Sequence, residues 1–301
     1  MIKENSQEKY KKTKKGFLIK LTGNSKSSSK IRKKEHSITN DYVINLAETQ
    51  DDCCAISGLP LTYQRNSNWQ CSLDRIDDDK GYIKENVRLI ALEFNTEVKW
   101  SIDLIYKSIS LMNSYVNYLQ ILNDIINPKQ KSKPTYTWVK QLIEEQEYVF
   151  CHFCKKLKTI DLFNIRFNNG CKLCSNSIKN FKQRFSRVFR DAEKHTRERN
   201  LYKQTPQEFT ITQEFLLDLY KNQKGLCAIS SIPLDFTGEY CVSIERSNTD
   251  IGYTTENVSL ICVCFQSTQI QGGEDANGGR WTQEKWKTIV DKFSKNSTYL
   301  V

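Results

Sequence analysis

The chain contains two copies of one sequence pattern, and this repeat limits the possible folds more than any other feature. The segment Cys54–Leu61 (CAISGLPL) returns as Cys227–Leu234 (CAISSIPL). The matching pairs on either side keep the same order and almost the same spacing: His36–Thr39 with Phe209–Thr212, Ser72–Ile76 with Ser243–Ser247, Gly81-Tyr82 with Gly252-Tyr253, Glu85–Val87 with Glu256–Val258, Leu89-Ile90 with Leu260-Ile261, and Phe94 with Phe265. The period is much longer than that of a solenoid, so the sequence predicts two globular modules in tandem.

Each copy has the pattern of a helix, a loop, two short strands and a second helix, which predicts an α+β fold. Thr39 and Thr212 have the residue type and the position of helix N-caps. In the first repeat, residues 72–76 and 87–92 are predicted strands joined by a glycine turn. A helix is expected from about Asn95, because the following apolar residues are three or four positions apart. These are Ile102, Ile105, Ile109 and Met112.

The positive charge is concentrated in two stretches. The net charge is +10, and residues 1–35 contain twelve Lys or Arg against three Glu. Residues 175–205 contain nine Lys or Arg against three acidic residues. This distribution favours a polyanionic partner, for which double-stranded DNA is our hypothesis. For residues 1–15 alone, a solubilising tail is an equally good interpretation.

The chain lacks the patterns of membrane and secreted proteins. Its longest apolar runs, such as Ser259–Phe265, are far shorter than the ~20 residues of a membrane helix. The first twenty residues contain lysines but no apolar stretch of a signal peptide. We therefore expect an intracellular protein, and the sequence does not distinguish cytoplasm from nucleus.

Four of the eleven cysteines have the spacing of a structural zinc site. Cys151-x2-Cys154 is followed by Cys171-x2-Cys174. Two such pairs can bind Zn²⁺ tetrahedrally with bonds of about 2.3 Å, and four thiolates leave no position for a reactive water.

The expected divisions of the chain are a basic tail over 1–15, module 1 over 16–126, a linker over 127–147, a four-cysteine zinc-binding segment over 148–177 and module 2 over 178–301.

A basic amphipathic helix is predicted at the start of module 2. Its apolar face consists of Ile178, Phe181, Phe185, Val188, Phe189 and Ala192. The residues predicted to contact nucleic-acid phosphates are on the other faces: Lys179, Lys182, Arg184, Arg187 and Arg190. A helix of this kind can pack with one side and bind phosphate with the other.

A compact metal site is predicted in the first repeat. If the two strands form a hairpin and the next helix packs against it, Asp74 and Asn95 converge on one cation. A hard ion such as Mg²⁺ (or Mn²⁺) binds carboxylate and amide oxygens. Such an ion can stabilise the charge on a phosphodiester during cleavage. Arg75 would then face the phosphate, because its charged guanidinium suits that geometry.

Both repeats resemble the HNH superfamily of nucleases, also called ββα-metal or His-Me finger, and within it the PacI-type or phage-like restriction and homing enzymes. The resemblance rests on the pattern Ser-Leu-Asp-Arg-Ile…Gly-Tyr…Glu-Asn-Val…Asn within residues 72–95 and on the cysteine pairs before the second repeat. It covers most of residues 16–110 and 148–275. It implies two tandem ββα-metal modules with flanking helices, separated by a small four-cysteine zinc-binding segment.

The resemblance also implies roles for individual residues. Asp74 and Asn95 would bind the catalytic divalent ion, Arg75 would take the place of the general-base histidine, and Asn86 would brace the loop. The counterparts in the second repeat are Glu245, Arg246, Asn257 and Gln266. Glu245 and Gln266 are each one methylene longer, and active sites are sensitive to shifts of about 1 Å. Module 1 is therefore the stronger candidate for an active site, and module 2 for a degenerate copy.

The second zinc site of many HNH modules is not kept in either repeat. Ser57 and Ser230 stand where a second cysteine would complete a Cys-x2-Cys pair. An apolar cluster is expected to replace the zinc. The cysteines expected to be core thiols are Cys54, Cys227, Cys262 and Cys264.

The general base stays unassigned, because an arginine with a pKa above ~12 cannot deprotonate water near neutral pH. The alternatives are metal-bound water, Tyr63 or Tyr82, and His36 or His195. Surface positions are the preferred interpretation of the two histidines. For Tyr82, the preferred interpretation is that its ring packs over the hairpin as a hydrophobic residue.

The leading hypothesis is a metal-dependent DNA endonuclease that acts as a monomeric, fused pseudodimer. It would nick one strand if module 2 is silent and cut both strands if both modules work. The alternative is a non-catalytic DNA-binding protein derived from an HNH nuclease. A third hypothesis is an RNA-directed nuclease or a zinc-ribbon accessory factor. The target sequence and the choice between restriction, homing and other roles are not encoded in these patterns.

Overall fold

A computed structural model of the chain describes residues 10, 13–114, 116, 140–143, 146–150, 157–163, 171–266 and 278–295. These residues form six α-helices and three antiparallel sheets, which confirms the α+β class. They divide into two compact units. Unit 1 comprises Met1–Ser110, Asn248–Asp250 and Val263–Val301, and unit 2 comprises Leu111–Ser247 and Ile251–Cys262.

The first repeat forms the predicted helix and hairpin. Its elements and the helices beside it are α1 (Lys14–Arg32), α2 (Asn40–Thr49), β1 (Cys71–Arg75), β2 (Val87–Ala91) and α3 (Ile102–Leu111). Thr39 is the N-cap of α2, since its hydroxyl accepts a hydrogen bond from the Tyr42 N–H at 3.2 Å. The two strands are antiparallel, with Asp74 opposite Arg88.

The predicted helix start near Asn95 is wrong, because α3 begins at Ile102. Asn95 ends a 3₁₀ turn and forms an isolated bridge with Lys99, so the backbone turns once more before the helix. The Ser101 hydroxyl then accepts a hydrogen bond from the Leu104 N–H at 3.1 Å. A serine that caps a helix in this way satisfies one of its unpaired N–H groups and sets its first residue.

A small sheet precedes the second repeat, in the order β3 (Lys140–Ile143), β4 (Gln146–Phe150) and β5 (Leu157–Thr159). The range predicted as a linker, 127–147, therefore includes β3. The second repeat follows as α4 (Lys172–Asn200), α5 (Gln213–Asn222), β6 (Val242–Arg246), β7 (Val258–Cys262) and α6 (Gln283–Lys295). Thr212 caps α5 as predicted, and β6 pairs antiparallel with β7.

The last part of the chain belongs to unit 1, so the predicted range 178–301 spans both units. An aromatic cluster explains this placement. Its ring centroids are 5.1 to 6.2 Å apart. Its members are Phe94, Trp100, Phe265, Trp281 and Trp286. Large buried aromatic rings contribute much of a core's stability, so this cluster fixes the C-terminal segment on the first repeat.

The two repeats keep the same internal contacts. Gln50 binds the backbone of Leu89 through both amide atoms, and Gln223 binds Leu260 in the same way. The four cysteines predicted as core thiols are all buried, which confirms that prediction. The Cys54 sulfur accepts from the Ala91 N–H at 3.3 Å, and the Cys227 sulfur from the Cys262 N–H at 3.4 Å.

Candidate functional site

Asp74 and Asn95 line one open cavity of about 380 Å³ in unit 1. The hairpin and the turn after it form one wall. The other wall is a face of α1, which contributes Leu21, Asn24, Ser25, Ser28 and Arg32. The volume is within the ~300–1,000 Å³ range of ligand pockets in proteins. The two residues predicted to bind a metal ion therefore line the same cavity.

The Asp74 carboxylate is buried and contacts two cations. Its Oδ2 is 3.0 Å from Arg88 Nε on the opposite strand, and its Oδ1 is 3.3 Å from Lys99 Nζ. Lys99 also donates to the Arg75 carbonyl at 2.6 Å and lies 3.2 Å from Asp78 Oδ2. A carboxylate that is nearly removed from water needs such partners. The Lys99 side chain is 41% exposed, so this partner of Asp74 is in contact with solvent.

Asn95 is held by β1 and by the turn that precedes it. Its Nδ2 donates to the Ser72 hydroxyl at 2.9 Å, which leaves the amide oxygen as its ligand group. The neighbouring Glu93 is fully buried and pairs with Lys285 of α6 at 2.5 Å. Trp281 Nε1 donates to the Glu93 carbonyl at 2.6 Å. The C-terminal segment thus fixes the backbone that carries Asn95.

Arg75 is fixed by the loop that follows β1. Its guanidinium donates to the carbonyls of Asp78 and Lys80 at 2.7 and 2.9 Å, and pairs with the Asp78 carboxylate at 2.9 Å. The guanidinium carbon lies 5.5 Å from the centroid of the Tyr82 ring, within the range of a cation–π contact. Arg75 therefore presents a permanent charge at the cavity.

Asn86 braces this loop, as the family resemblance implies. Its amide donates to the carbonyls of Asp77 and Gly81, both at 2.9 Å, and its oxygen accepts from the Asp77 N–H at 2.8 Å. Gly81 is required here, because a β-carbon would lie 2.0 Å from the Glu35 carbonyl oxygen. The close approach of the two backbones thus explains the glycine.

The structure separates the candidates for a general base. Tyr63 donates to Asp52 at 2.5 Å, and burial together with this hydrogen bond raises its pKa far above the ordinary value. Such a phenol does not accept a proton near neutral pH. Tyr82 lines the cavity, and the half-buried His36 reaches it through Ser25, with 2.9 Å between His36 Nε2 and the serine hydroxyl.

The second repeat positions its counterparts on equivalent elements. Arg246 donates to Gln207 at 3.3 Å and to the Ile251 carbonyl at 3.0 Å. Asn257 is buried and donates to the Gly252 carbonyl at 2.8 Å, as Asn86 does to Gly81. Glu245 is half-buried on β6, opposite Ser259, and belongs to unit 2. Gln266 follows the 3₁₀ turn after β7 and belongs to unit 1.

The predicted zinc ligands are only partly within the described residues. Cys151 and Cys154 lie outside them. Cys171 is buried at the N-terminus of α4, where the Lys158 ammonium is 3.4 Å from its sulfur, and Cys174 is in the first turn of that helix. Among the residues that the structure describes, no three His, Cys, Asp or Glu side chains gather as a metal site.

The basic helix forms as predicted, with Phe185, Val188 and Ala192 buried. Lys179 and Lys182 are on this helix, and their side chains lie outside the described part. Arg184 donates to the Val242 carbonyl at 2.9 Å, so it binds the sheet of its own module. Arg187 and Arg190, which were also predicted to contact phosphate, are exposed. Arg187 pairs with Asp191 at 3.5 Å, and Arg190 donates to the Ser186 carbonyl. His195 is exposed, as expected.

Sequence patterns did not identify the α1 wall of the cavity. The available signal was composition, since α1 contains six Lys or Arg and no acidic residue. Arg88 was also missed, because cross-strand pairing depends on a register that local sequence does not give. Lys99 was missed because a turn brings it to Asp74. No helix in the described ranges is both long and apolar enough to cross a membrane.

Comparisons with models of known protein families, with characterised proteins and with solved structures gave no match to this chain.

Proposed function

We propose that the chain is a metal-dependent DNA endonuclease of the HNH (ββα-metal) type, with its active site in the first repeat. The observation that carries the proposal is that Asp74 and Asn95 line one open cavity. A carboxylate and an amide oxygen beside a fixed arginine are suited to hydrolysis of a phosphodiester. The positive net charge of the chain supports a nucleic-acid substrate.

The donor chemistry of the site fits a divalent cation. Asp74 and the Asn95 amide oxygen would bind Mg²⁺ or Mn²⁺, which keeps several waters when few protein ligands are present. An ion bound at Asp74 Oδ1 would displace the Lys99 ammonium, which lies 3.3 Å from that oxygen. When bound, the ion supplies positive charge for the scissile phosphate and its leaving oxygen.

The chain's own residues complete the site. Arg75 is held by three contacts with its loop, so its guanidinium would stand at a fixed position beside the substrate. Asn86 maintains the loop that holds Arg75. The group that accepts the proton of the attacking water is Tyr82, the Ser25–His36 pair or a second water at the site, because Arg75 and Tyr63 cannot act as bases.

The asymmetry between the repeats supports a single active site. The second repeat has Glu245 and Gln266 for Asp74 and Asn95, and Ser259 for Arg88. We propose that this repeat contributes DNA binding, and that Cys151, Cys154, Cys171 and Cys174 bind a structural Zn²⁺. A protein of this design nicks one strand of a duplex.

The test uses supercoiled plasmid with purified protein and Mg²⁺ or Mn²⁺. We expect metal-dependent cutting that falls by about 10²–10³-fold in Asp74→Ala, because this variant loses the charged ligand. Glu245→Ala is the matched control at the same position of the second repeat, and should cut within about threefold of wild type. Absence of cutting by wild type, with retained DNA binding, would replace this proposal by the non-catalytic binding protein.

A further inference from the structure

We infer that the cavity-facing side of α1, the α1 wall, binds the phosphate backbone of a DNA strand. This wall lies across the cavity from Asp74. This inference rests on the proposed function, since it assigns a substrate contact to the same cavity. It adds three residues that no catalytic motif includes. They are Asn24, Ser28 and Arg32, which follow one another at intervals of four on one face of the helix.

The charges around the cavity single out Arg32. The lining contains three cations, Arg32, Arg75 and Lys99, and three carboxylates, Asp74, Asp78 and Glu97. Arg75 and Lys99 pair with Asp74 or Asp78. Arg32 pairs with no carboxylate among the described residues, so its charge is available to a phosphate.

The orientation of Arg32 is also set. Its Nη1 donates to the Ser28 hydroxyl at 2.6 Å, which directs the guanidinium along the cavity side of the helix. Arginine binds phosphate through paired N–H groups, and the remaining donors of Arg32 stay exposed for this purpose. Asn24 adds an exposed amide two turns earlier on the same face.

The rest of α1 has the charge expected of a helix beside a polyanion. Besides Arg32 it carries Lys14, Lys15, Lys20, Lys26 and Lys30. Only Lys14 pairs with a carboxylate, that of Asp52, among the described residues. The positive potential of the helix therefore adds to the attraction of a strand that enters the cavity.

Two neighbouring serines allow a matched test. Ser28→Glu places a carboxylate on the cavity wall beside Arg32, whereas Ser27→Glu places one at the preceding position, outside the cavity lining. Both proteins would be titrated onto a fluorescent duplex without added Mg²⁺ or Mn²⁺, at salt concentrations of about 50 to 200 mM. We expect Ser28→Glu to weaken binding about tenfold or more, and Ser27→Glu by less than about threefold.

A second pair tests the arginine directly. Arg32→Gln should reduce the slope of log affinity against log salt by about 1, the loss of one phosphate contact, while Lys30→Gln should reduce it by much less. Both positions are exposed, so the fold should be retained and can be checked by circular dichroism.

The outcomes separate this inference from the proposed function. Equal effects of Ser28→Glu and Ser27→Glu, or of Arg32→Gln and Lys30→Gln, overturn the α1 wall even if the plasmid is cut. A wild-type protein that does not bind the duplex overturns both proposals. If the variants show the expected difference in binding but wild-type protein does not cut, the α1 wall is supported and the nuclease proposal is overturned.

Discussion

The hairpins of the two repeats share a scaffold and differ at the site that it carries. Asn86 and Asn257 both hold a glycine carbonyl of the loop between the strands, and Arg75 and Arg246 both lie over a tyrosine ring. The residue before each arginine differs: Asp74 faces Arg88 across the first hairpin, and Glu245 faces Ser259 across the second. Contacts that shape the backbone are thus retained, while the residue opposite the carboxylate changes from an arginine to a serine. The proposed single active site in the first repeat rests on this difference.

The largest effect on stability is expected where the repeats differ inside the core. The first has Glu93 in its 3₁₀ turn, and the second has Cys264 at the same position. Glu93 and Lys285 form a buried ion pair. Lys285→Met leaves the carboxylate buried without its cation, so we expect a loss of about 3–5 kcal/mol in the free energy of unfolding, measured by urea denaturation.

The control for that variant removes both charges. Glu93→Gln with Lys285→Met keeps the side-chain oxygen that accepts from the Trp69 N–H at 3.1 Å. This double variant should recover more than half of the loss, because no isolated charge stays buried. A single Lys285→Met variant that loses less than about 1 kcal/mol would show that the pair does not hold the C-terminal segment.

A matched glycine pair tests whether the two scaffolds are equivalent. A β-carbon at Gly81 would lie 2.0 Å from the Glu35 carbonyl oxygen, and one at Gly252 would lie 1.8 Å from that of Glu208. Gly81→Ala and Gly252→Ala should each cost about 3 kcal/mol, seen as a lower thermal midpoint, because backbone must move. Gly23→Ala, in α1 with nothing within 4 Å, is the control and should be neutral or stabilising.

The asparagines separate stability from activity. Asn86→Ala and Asn257→Ala should each destabilise the protein by about 2 kcal/mol, because buried carbonyl groups lose their donors. Only Asn86→Ala should also reduce plasmid cutting at a temperature where both variants are folded, since it releases the loop that holds Arg75. Equal cutting by the two variants would argue that Asn86 has no link to the active site.

The smallest effect concerns the attachment of α1 to the first repeat. Partial burial raises the pKa of Asp52, but hydrogen bonds from Lys14 and Tyr63 lower it by more, so its pKa in the folded protein lies below the ordinary value of an aspartate. This contact therefore stabilises the fold above the unfolded pKa of about 3.9 and is lost as the pH falls through the lower folded value.

Asp52→Asn should accordingly flatten the decline in thermal midpoint at acid pH, compared with wild type. The second repeat has Gly225 and Phe236 at the positions of Asp52 and Tyr63. The second repeat therefore has no hydrogen-bonded pair at these two positions. Tyr63→Phe introduces the residue of the second repeat, and it should weaken the pH dependence as Asp52→Asn does. An unchanged acid profile in both variants would contradict this account of Asp52.

The sequence predicts local features of this fold and misses those that depend on distant residues. The caps Thr39 and Thr212, both hairpins and the buried thiols follow from repeated local patterns, and the structure confirms them. The start of α3 was missed because the Asn95 turn interrupts the chain before Ser101 caps the helix.

The site shows the same limit. The expected hairpin led to the prediction that Asp74 and Asn95 lie close together, and both residues line one cavity. The partners of Asp74 could not be identified, since Arg88 meets it through strand register and Lys99 through a turn. The contact of Glu93 with Lys285 joins residues far apart in sequence, and no local pattern indicates it.

The most direct test of a single active site is a time course of supercoiled plasmid with Mg²⁺, in which nicked and linear products are measured separately. The account predicts that wild-type protein accumulates open circles with no early linear product, that Glu245→Ala gives the same course, and that Asp74→Ala leaves the plasmid supercoiled. Linear product at early times, lost in Glu245→Ala, would show that the second repeat also cuts and would contradict the account.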